Sequence, residues 1–355
     1  VSVIAAVHGA LPAHRYDQSE LTELVVDLLG DSSKEQLVRR LHESAQVRTR
    51  YLALPIEQYP KLAGFTAAND AFIEHAVDLG TRAVLGALDA AGLGPRDVDV
   101  VFSTTVTGIA APSIEARIAT AIGLRPDIKR VPMFGLGCVA GAAGIGRAHD
   151  YLAGAPDEVA VLLSVELCSL TMQRGDPSTA NLVASGLFGD GASGVVLLGD
   201  QRAEDLPVAF GGPEVIGSRS HLYPDSERTM GWDVTADGLK IVLNAEVPDL
   251  VQRYLGEDVR GFLADHGLTV DDVAAWVCHP GGPKVILAIQ DVLGLPPDAL
   301  ELTWRSLADV GNLSSSSVLH VLRDTMDKHP PAGRPGVLMA MGPGFCSELV
   351  LLRWR

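Results

Sequence analysis

Three residues have side chains that together can carry a thioester: Cys138, His279 and Asn312. Cys138 follows the apolar run Val131-Pro-Met-Phe134 and the turn Gly135-Leu-Gly137, and opens the small-residue stretch Val139-Ala-Gly-Ala-Ala-Gly-Ile-Gly146. This reads as a buried strand, a tight turn, and a helix that begins at the cysteine. A thiol at a helix N-terminus faces unpaired N–H groups and the positive end of the helix dipole. Both favour thiolate, the nucleophilic form. An imidazole can pair with that sulfur and later donate to a developing oxyanion. The carboxamide of Asn312 adds a second neutral donor. Two neutral donors aimed at one thioester oxygen suit decarboxylation of a malonyl thioester, where an enolate forms. A carboxylate in place of the amide would repel that charge. Taken singly, the three residues have structural readings: a buried thiol, a histidine beside a turn, a helix N-cap.

What joins them is the order of elements. A helix of period 3.6 is expected over 67–91 and a buried strand over Val98–Thr105. Then come a helix Pro112–Gly123, a strand Ile128–Phe134, the central helix Cys138–Ala153 and a strand Val159–Val165. A loop near Arg174–Asn181 leads to a glycine-kinked strand, Leu187–Leu198. The second half repeats the first. Gly92-Leu-Gly-Pro-Arg-Asp-Val98 recurs as Gly267-Leu-Thr-Val-Asp-Asp-Val273, an offset of 175. Gly123-Leu-Arg-Pro-Asp127 recurs as Gly294-Leu-Pro-Pro-Asp298, an offset of 171. Strand Val273–Cys278 follows the turn that begins at Gly267, and strands Val159–Val165 and Val337–Met341 continue the series in the same order. The chain is therefore α/β, with two pseudo-symmetric halves. Residues 200–240 are rich in Gly, Pro and charge, and the halves are divided there, as 1–210 and 211–355. Cys138 plus 174 is Asn312, in another glycine turn before a small-residue helix start. The two central helices then point their N-termini at one region. His279 ends a strand at the edge where α/β proteins place reactive groups.

The totals bound the class. At 355 residues, 47% hydrophobic and 20% charged, the composition is that of a soluble globular protein. A net charge of −16 argues against nucleic acid or an anionic membrane surface as partner. Four dispersed cysteines without a CxxC pair fit a reducing compartment, and neither a disulfide framework nor a zinc site. The chain opens on an apolar strand with no charged leader, and no apolar run reaches the ~20 residues of a membrane span. A cytoplasmic location without metal is expected.

The sequence resembles the type III polyketide synthases of the chalcone synthase superfamily, on the layered αβαβα thiolase fold. The motifs are Phe134-Gly-Leu-Gly-Cys138, Val165-Glu-Leu-Cys-Ser-Leu170, Leu187-Phe-Gly-Asp-Gly191, His279-Pro-Gly-Gly-Pro283, Gly311-Asn-Leu-Ser-Ser315 and Met341-Gly-Pro-Gly-Phe345. Within the superfamily it looks most like actinobacterial long-chain alkylpyrone and alkylresorcinol synthases. The resemblance implies a homodimeric acyltransferase with acyl-CoA and malonyl-CoA as substrates and no further cofactor. An acyl group loads on Cys138, His279 and Asn312 decarboxylate malonyl-CoA, and repeated Claisen condensation is followed by cyclisation.

The same resemblance assigns other residues. Phe188 matches a gatekeeper between CoA tunnel and cavity, and Ile241 stands at the second gatekeeper position, where plant members carry Phe. Gly342, Pro343 and Gly344 match the cyclisation loop, with Met341 replacing the usual Phe. Arg40 matches a residue that holds CoA phosphates. A second basic position there is Ser44, so Arg48 or Lys284 is expected to substitute. Thr171 lines the pocket, and Ala111 falls where plant members place a methionine that reaches the partner's cavity. Small residues at Ala111, Thr171 and Ile241 leave room for a long starter, each buried CH₂ of which contributes ~0.8 kcal/mol. Trp232 falls near the cavity and works against that room. The expectation is a fatty acyl-CoA starter and an alkyl-α-pyrone or alkylresorcinol product. Two alternatives stand: a single-condensation ketoacyl synthase using carrier protein, and a catalytically inactive partner subunit of the same fold. The extender, malonyl or methylmalonyl, is left open.

Overall fold

The computed structural model describes residues 1–205 and 212–355. The expected division at 210 and 211 lies outside the described residues. Among those residues run thirteen strands: β1 (Ser2–Ala10), β2 (His14–Asp17), β3 (Thr49–Leu52), β4 (Val100–Thr105), β5 (Lys129–Phe134), β6 (Val159–Leu167), β7 (Asp190–Gly199), β8 (Glu214–Leu222), β9 (Met230–Thr235), β10 (Gly238–Leu243), β11 (Ala275–Cys278), β12 (Pro335–Gly342) and β13 (Cys346–Arg353). Nine of them form one sheet, in the order β11-β12-β13-β8-β1-β7-β6-β4-β5. The others pair as the ribbons β2–β3 and β9–β10.

The sheet carries the duplication. Outward from the antiparallel contact of β1 with β8, the run β1-β7-β6-β4 on one side matches β8-β13-β12-β11 on the other. In each half the two outer members of these runs pair parallel and the rest antiparallel. β5 extends the first half alone. The repeated turns begin the same elements: 3₁₀ turns Pro95–Asp97 and Val270–Asp272 precede β4 and β11. Gly123 and Gly294, both left-handed, end the helices Ile114–Ile122 and Pro283–Leu293. This is the layered thiolase-like α/β architecture.

Two helices fill the middle, Ala140–Ala153 and Ser317–Asp327, and pack on each other. The first touches strands of both halves, β4, β6 and β7 as well as β8, β12 and β13. Its small residues make this possible. A Cβ on Gly141 would stand 2.3 Å from the carbonyl oxygen of Ser315, so the two helix starts meet backbone to backbone. Val139, Ala142, Ile145, Val318 and Leu319 close the core around that contact. On the opposite face of the first half lies the helix Gly64–Ala90, against β1, β6 and β7.

Several expected elements shift. The helix Thr179–Leu187 occupies the end of the expected Arg174–Asn181 loop, and β7 starts at Asp190, not Leu187. Residues Leu187–Gly189 instead bond to Asn312: Asn312 N–H donates to Leu187 O (2.8 Å) and Gly189 N–H to Asn312 O (2.9 Å). The stretch 200–240, read as a divider, contains β8 and β9. The central helices start at Ala140 and Ser317, an offset of 177, which pairs Cys138 with Ser315 rather than with Asn312. Asn312 lies one turn earlier, because the approaches to the two helices differ in length.

Candidate active site

Cys138 sits in a 3₁₀ turn, Gly137–Val139, that feeds the helix Ala140–Ala153. Gly137 has φ +56°, and a Cβ there would meet the Pro343 ring at 2.7 Å. Only glycine allows both the turn and the approach of the Gly342–Gly344 loop. The sulfur is buried, with Cys138 6% exposed. Its S–H donates to Ser314 Oγ at 3.7 Å. That hydroxyl can turn its own hydrogen toward a thiolate.

Asn312 is fixed from both ends. Its backbone is bonded to Leu187 and Gly189, and its Oδ1 accepts from Ser314 N–H (2.8 Å). The bond to Oδ1 decides the amide's orientation and turns the NH₂ away from Ser314 N. The NH₂ reaches Gly281 O (3.4 Å) and lies close enough to the Cys138 sulfur to favour its anion. Gly281 belongs to the turn after His279, and its N–H donates to His279 O (2.9 Å). The backbone N–H of His279 donates to Met339 O in β12 (3.0 Å). Both ring nitrogens of His279 are buried without a partner among the described residues. Ser314 thus ties Cys138 to Asn312, and Gly281 ties Asn312 to His279.

Burial opposes the thiolate that a helix start favours. Burial pushes the Cys138 thiol up to about 12, the nearby Glu166 adding to it and the hydrogen bonds of Ser314 and Asn312 opposing. Burial also lowers His279 to about 3. Burial thus works against both charged forms, while Ser314 and Asn312 favour the thiolate. The short 3₁₀ start offers little of the aligned dipole that a full α-turn would give. Glu166 is itself fully buried, and burial raises its pKa. It accepts from Val106 N–H (3.0 Å), Thr107 Oγ1 (3.0 Å) and Ser315 Oγ (2.5 Å).

Phe188, Thr171, Ile241 and Trp232 line one cavity, together with Arg50 and Cys168. It holds about 50 Å³ for a water-sized molecule. Trp232 also lines a second cavity of about 220 Å³, with Val106, Met230, Pro343 and Gly344. Trp232 is the lining residue common to the two. Ala111 is exposed and lines neither; it borders a groove with Ile109, Glu115 and Phe134. Arg40 and Lys284 are exposed and form no ion pair among the described residues. Arg48 is exposed and bound to Asp309 (2.5 Å).

Three residues here carried no assigned role in the sequence: Ser314, Glu166 and Arg50. Ser314 and Glu166 lie inside quoted motifs, so only their contacts were hidden. Arg50 closes a run of arginines whose other members face solvent, and nothing in that run marks one as buried.

With this geometry in place, comparison with known proteins is decisive. Residues 1–201 match the N-terminal domain of the chalcone and stilbene synthases, and residues 214–354 match their C-terminal domain. The chain belongs to the chalcone and stilbene synthase family. Members of this family, the type III polyketide synthases, are acyltransferases that work by decarboxylative condensation. One relative of the chain is a 1,3,6,8-tetrahydroxynaphthalene synthase of Streptomyces peucetius subsp. caesius, 58% identical, covering 99% of this chain and 93% of the relative. An alpha-pyrone synthesis polyketide synthase-like protein of Mycobacterium tuberculosis is 29% identical, covering 99% and 91%. The solved 1,3,6,8-tetrahydroxynaphthalene synthase of Streptomyces coelicolor superposes with a TM-score of 0.93 at 30% identity, covering 99% of both chains. Among the described residues no helix is long and apolar enough to cross a membrane.

Proposed function

We propose that this synthase builds a polyhydroxynaphthalene from malonyl-CoA alone. The observation that carries the reading is Trp232, a large side chain that lines both the cavity of Phe188, about 50 Å³, and the cavity beside Pro343, about 220 Å³, and takes up space a fatty tail would need. The relative at 58% identity is named for a naphthalene tetraol. A ring system of ten carbons with oxygens at alternate positions divides into five two-carbon units and has no place for an alkyl starter.

The chemistry follows from the three side chains. Cys138 attacks the starter thioester; its proton passes through a free nitrogen of His279 to the departing CoA thiolate. His279 and Asn312 then donate to the thioester oxygen of malonyl-CoA as CO₂ leaves and the enolate forms. The enolate carbon attacks the acyl group on Cys138, the sulfur leaves as thiolate, and the longer chain resides on CoA. Reloading repeats the cycle, and the Gly342–Gly344 loop shapes the cavity for ring closure. Phe188 and Ile241 gate the entrance. Arg40 and Lys284 are free to meet CoA phosphates, whereas Arg48 must first give up Asp309. A homodimer is supported by the exposed edge strand β5 and by Phe134 and Ile109, 55% and 43% exposed beside Ala111.

A long acyl starter, with an alkylpyrone or alkylresorcinol product, is the second reading. It is favoured by the apolar wall of Leu21, Leu24, Val25 and Met172 in the Phe188 cavity. Tyr59, Ser169 and Met172 also border a neighbouring open cleft, so a moved side chain would join the two. Incubation with malonyl-CoA alone, and with added hexanoyl- or palmitoyl-CoA, separates the readings by mass spectrometry. The expected result is a naphthalene tetraol from malonyl-CoA alone, and alkyl products from palmitoyl-CoA only after Trp232→Ala. Efficient alkylpyrone formation by the unaltered enzyme, with no product from malonyl-CoA alone, would overturn the first reading.

A further inference from the structure

The loop of Gly342, Pro343 and Gly344 ends on Phe345, whose backbone is clamped by a turn. Phe345 N–H donates to Ser226 Oγ (2.8 Å) and to Ser226 O (3.1 Å). Phe345 O accepts from Tyr223 N–H (2.9 Å), and Ser226 Oγ donates to Tyr223 O (2.7 Å). The same turn leads into the β9–β10 ribbon: Thr229 N–H donates to Ser226 O (3.0 Å), and Thr229 O accepts from Asn244 N–H (2.8 Å). Pro343 and Gly344 of the loop, with Met230 and Trp232 of β9, line the cavity of about 220 Å³. Residues 223–229 therefore couple two parts of that lining. The loop also abuts the turn of Cys138, since a Cβ on Gly342 would stand 2.7 Å from Val139 N and 2.9 Å from Leu136 O.

Tyr223 anchors residues 223–229. It is buried, and its ring lies 4.6 Å from those of Tyr254 and His221 and 5.9 Å from that of Phe345. A buried hydroxyl is costly without a partner. This one donates to Asp258 Oδ2, in the helix Gly256–Asp265, and lies 3.0 Å from Ser347 Oγ in β13. The other oxygen of Asp258 is held by His221 Nδ1 (2.8 Å). Asp258 is largely buried and His221 is exposed, so the anchor is a charged acceptor inside the molecule with its support at the surface. None of Tyr223, Asp258 and His221 lines the cavity beside Pro343, and any effect they have on a bound chain passes through the turn.

We propose that Asp258 and Tyr223 are positioning residues for ring closure: they fix residues 223–229, and with them the placement of the 342–344 loop relative to Trp232, so that the finished chain closes through carbon. This rests on the reading above that the loop shapes the cavity for ring closure. Two closures compete on a polyketone thioester. In one, a methylene carbon bonds to a carbonyl carbon, and the carbonyl oxygen leaves as water, or the sulfur leaves as thiol where that carbonyl is the thioester's own. In the other, an enol oxygen bonds to the thioester carbon, the sulfur leaves with the enol's proton, and a pyrone results. Carbon closure is the one that needs a particular methylene held against a particular carbonyl. Without its anchor the turn no longer fixes the two parts of the lining, and the pyrone gains.

The test is the ratio of carbon-closed rings to pyrones, read with malonyl-CoA alone and with hexanoyl-CoA as primer. Tyr223→Phe keeps the ring contacts and removes the hydroxyl. Asp258→Ala removes its acceptor, and Asp258→Asn keeps an oxygen that can accept. The first two are expected to lower the ratio about tenfold, and the third by about twofold or less. Acylation of Cys138 by hexanoyl-CoA, followed by intact mass, is expected to stay within about twofold of the unaltered enzyme in all three. A fall in acylation and in both products together, with the ratio unchanged, overturns the proposal, as does a loss as large in Asp258→Asn as in Asp258→Ala. Should these variants fail to fold, His221→Ala decides, an exposed change that takes one donor from Asp258. The ratio is then expected to fall about threefold, and an unchanged ratio overturns the proposal. Pro343→Ala separates the two claims: a ratio that it moves and Tyr223→Phe does not overturns the proposal alone, and a ratio that neither moves brings down the reading of the loop with it. Absence of naphthalene from the unaltered enzyme brings down the malonyl-only reading instead, and resorcinol against pyrone from the primed chain then decides the proposal.

Discussion

Asn312 shows how much depends on one neutral side chain. Its Oδ1 is committed to Ser314 N–H, so the NH₂ is the only part left for a substrate oxygen. Asn312→Asp is close to isosteric and preserves the bond to Ser314. It replaces the donor by an oxygen that repels both the enolate and the Cys138 thiolate. Release of acetyl-CoA and CO₂ from malonyl-CoA is expected to fall by about 10²–10³, the usual loss for one oxyanion donor. Acylation of Cys138, followed by intact mass, is expected to fall much less. Equal losses in both steps would place Asn312 in loading rather than decarboxylation. The residue types Cys, His and Asn, and their likeness to a family, were legible in the sequence. The opposition of burial to the thiolate was not. A helix start argues for thiolate, but burial argues against it, and burial is a property of the packed molecule. Arg50 was hidden for the same reason, since its neighbours in sequence are solvated.

At the scale of elements, the small-residue run after Cys138 identified a central helix, and the structure supplies the reason for its composition. Gly141 is where that helix touches the start of the other. Gly141→Ala puts a Cβ against the Ser315 carbonyl, a backbone atom with no rotamer to escape into. The helix starts must then separate. The expected cost is about 1–3 kcal/mol of stability, read as a lowered melting midpoint. Condensation should fall as well, though none of Cys138, His279 or Asn312 is altered, because Ser314 and Ser315 are attached to the displaced backbone. A variant with unchanged midpoint and rate would show that the approach at Gly141 does not hold the site. The repeat was legible as matched turns, whose glycines end matched helices. Its exact register was not: turns of equal type can be separated by loops of unequal length, and so Cys138 pairs with Ser315 instead of Asn312. The helix Thr179–Leu187 was missed because its last residues resemble a strand, and only the bonds of Leu187–Gly189 to Asn312 draw them out of the sheet.

At the scale of the whole molecule, the burial that shapes the site also sets a limit in acid. His42, His279 and His320 are buried, and their pKa values are lowered to about 3, 3 and 4 by loss of solvation. His149, partly buried, is lowered too. In the unfolded chain each would titrate near 6.5. Above that pH all are neutral in both states, and their contribution is fully present. As pH falls through 6.5 the unfolded chain takes up protons that the folded one refuses, so stability is lost down to the folded values. Asp190 works the other way. Burial raises it to about 6, so between 6 and 3.8 the folded state holds the extra proton and gains from acid. Glu166, also raised by burial, adds in the same direction. Four histidines against two carboxyls leave the unfolded chain with the greater uptake. Ion-paired carboxylates such as Asp324 are lowered from 3.8 and do not enter this window. The melting midpoint is therefore expected to fall by about 5 °C or more between pH 7 and pH 5. His320 allows the cause to be isolated, since among the described residues its side chain bonds only through Nε2, to Ala192 O (3.1 Å), and to none of Cys138, His279 and Asn312. His320→Gln keeps an N–H for that carbonyl and removes the titration. Its midpoint should fall less steeply over the same interval, and parallel curves for the two proteins would show that buried histidines do not set the acid limit.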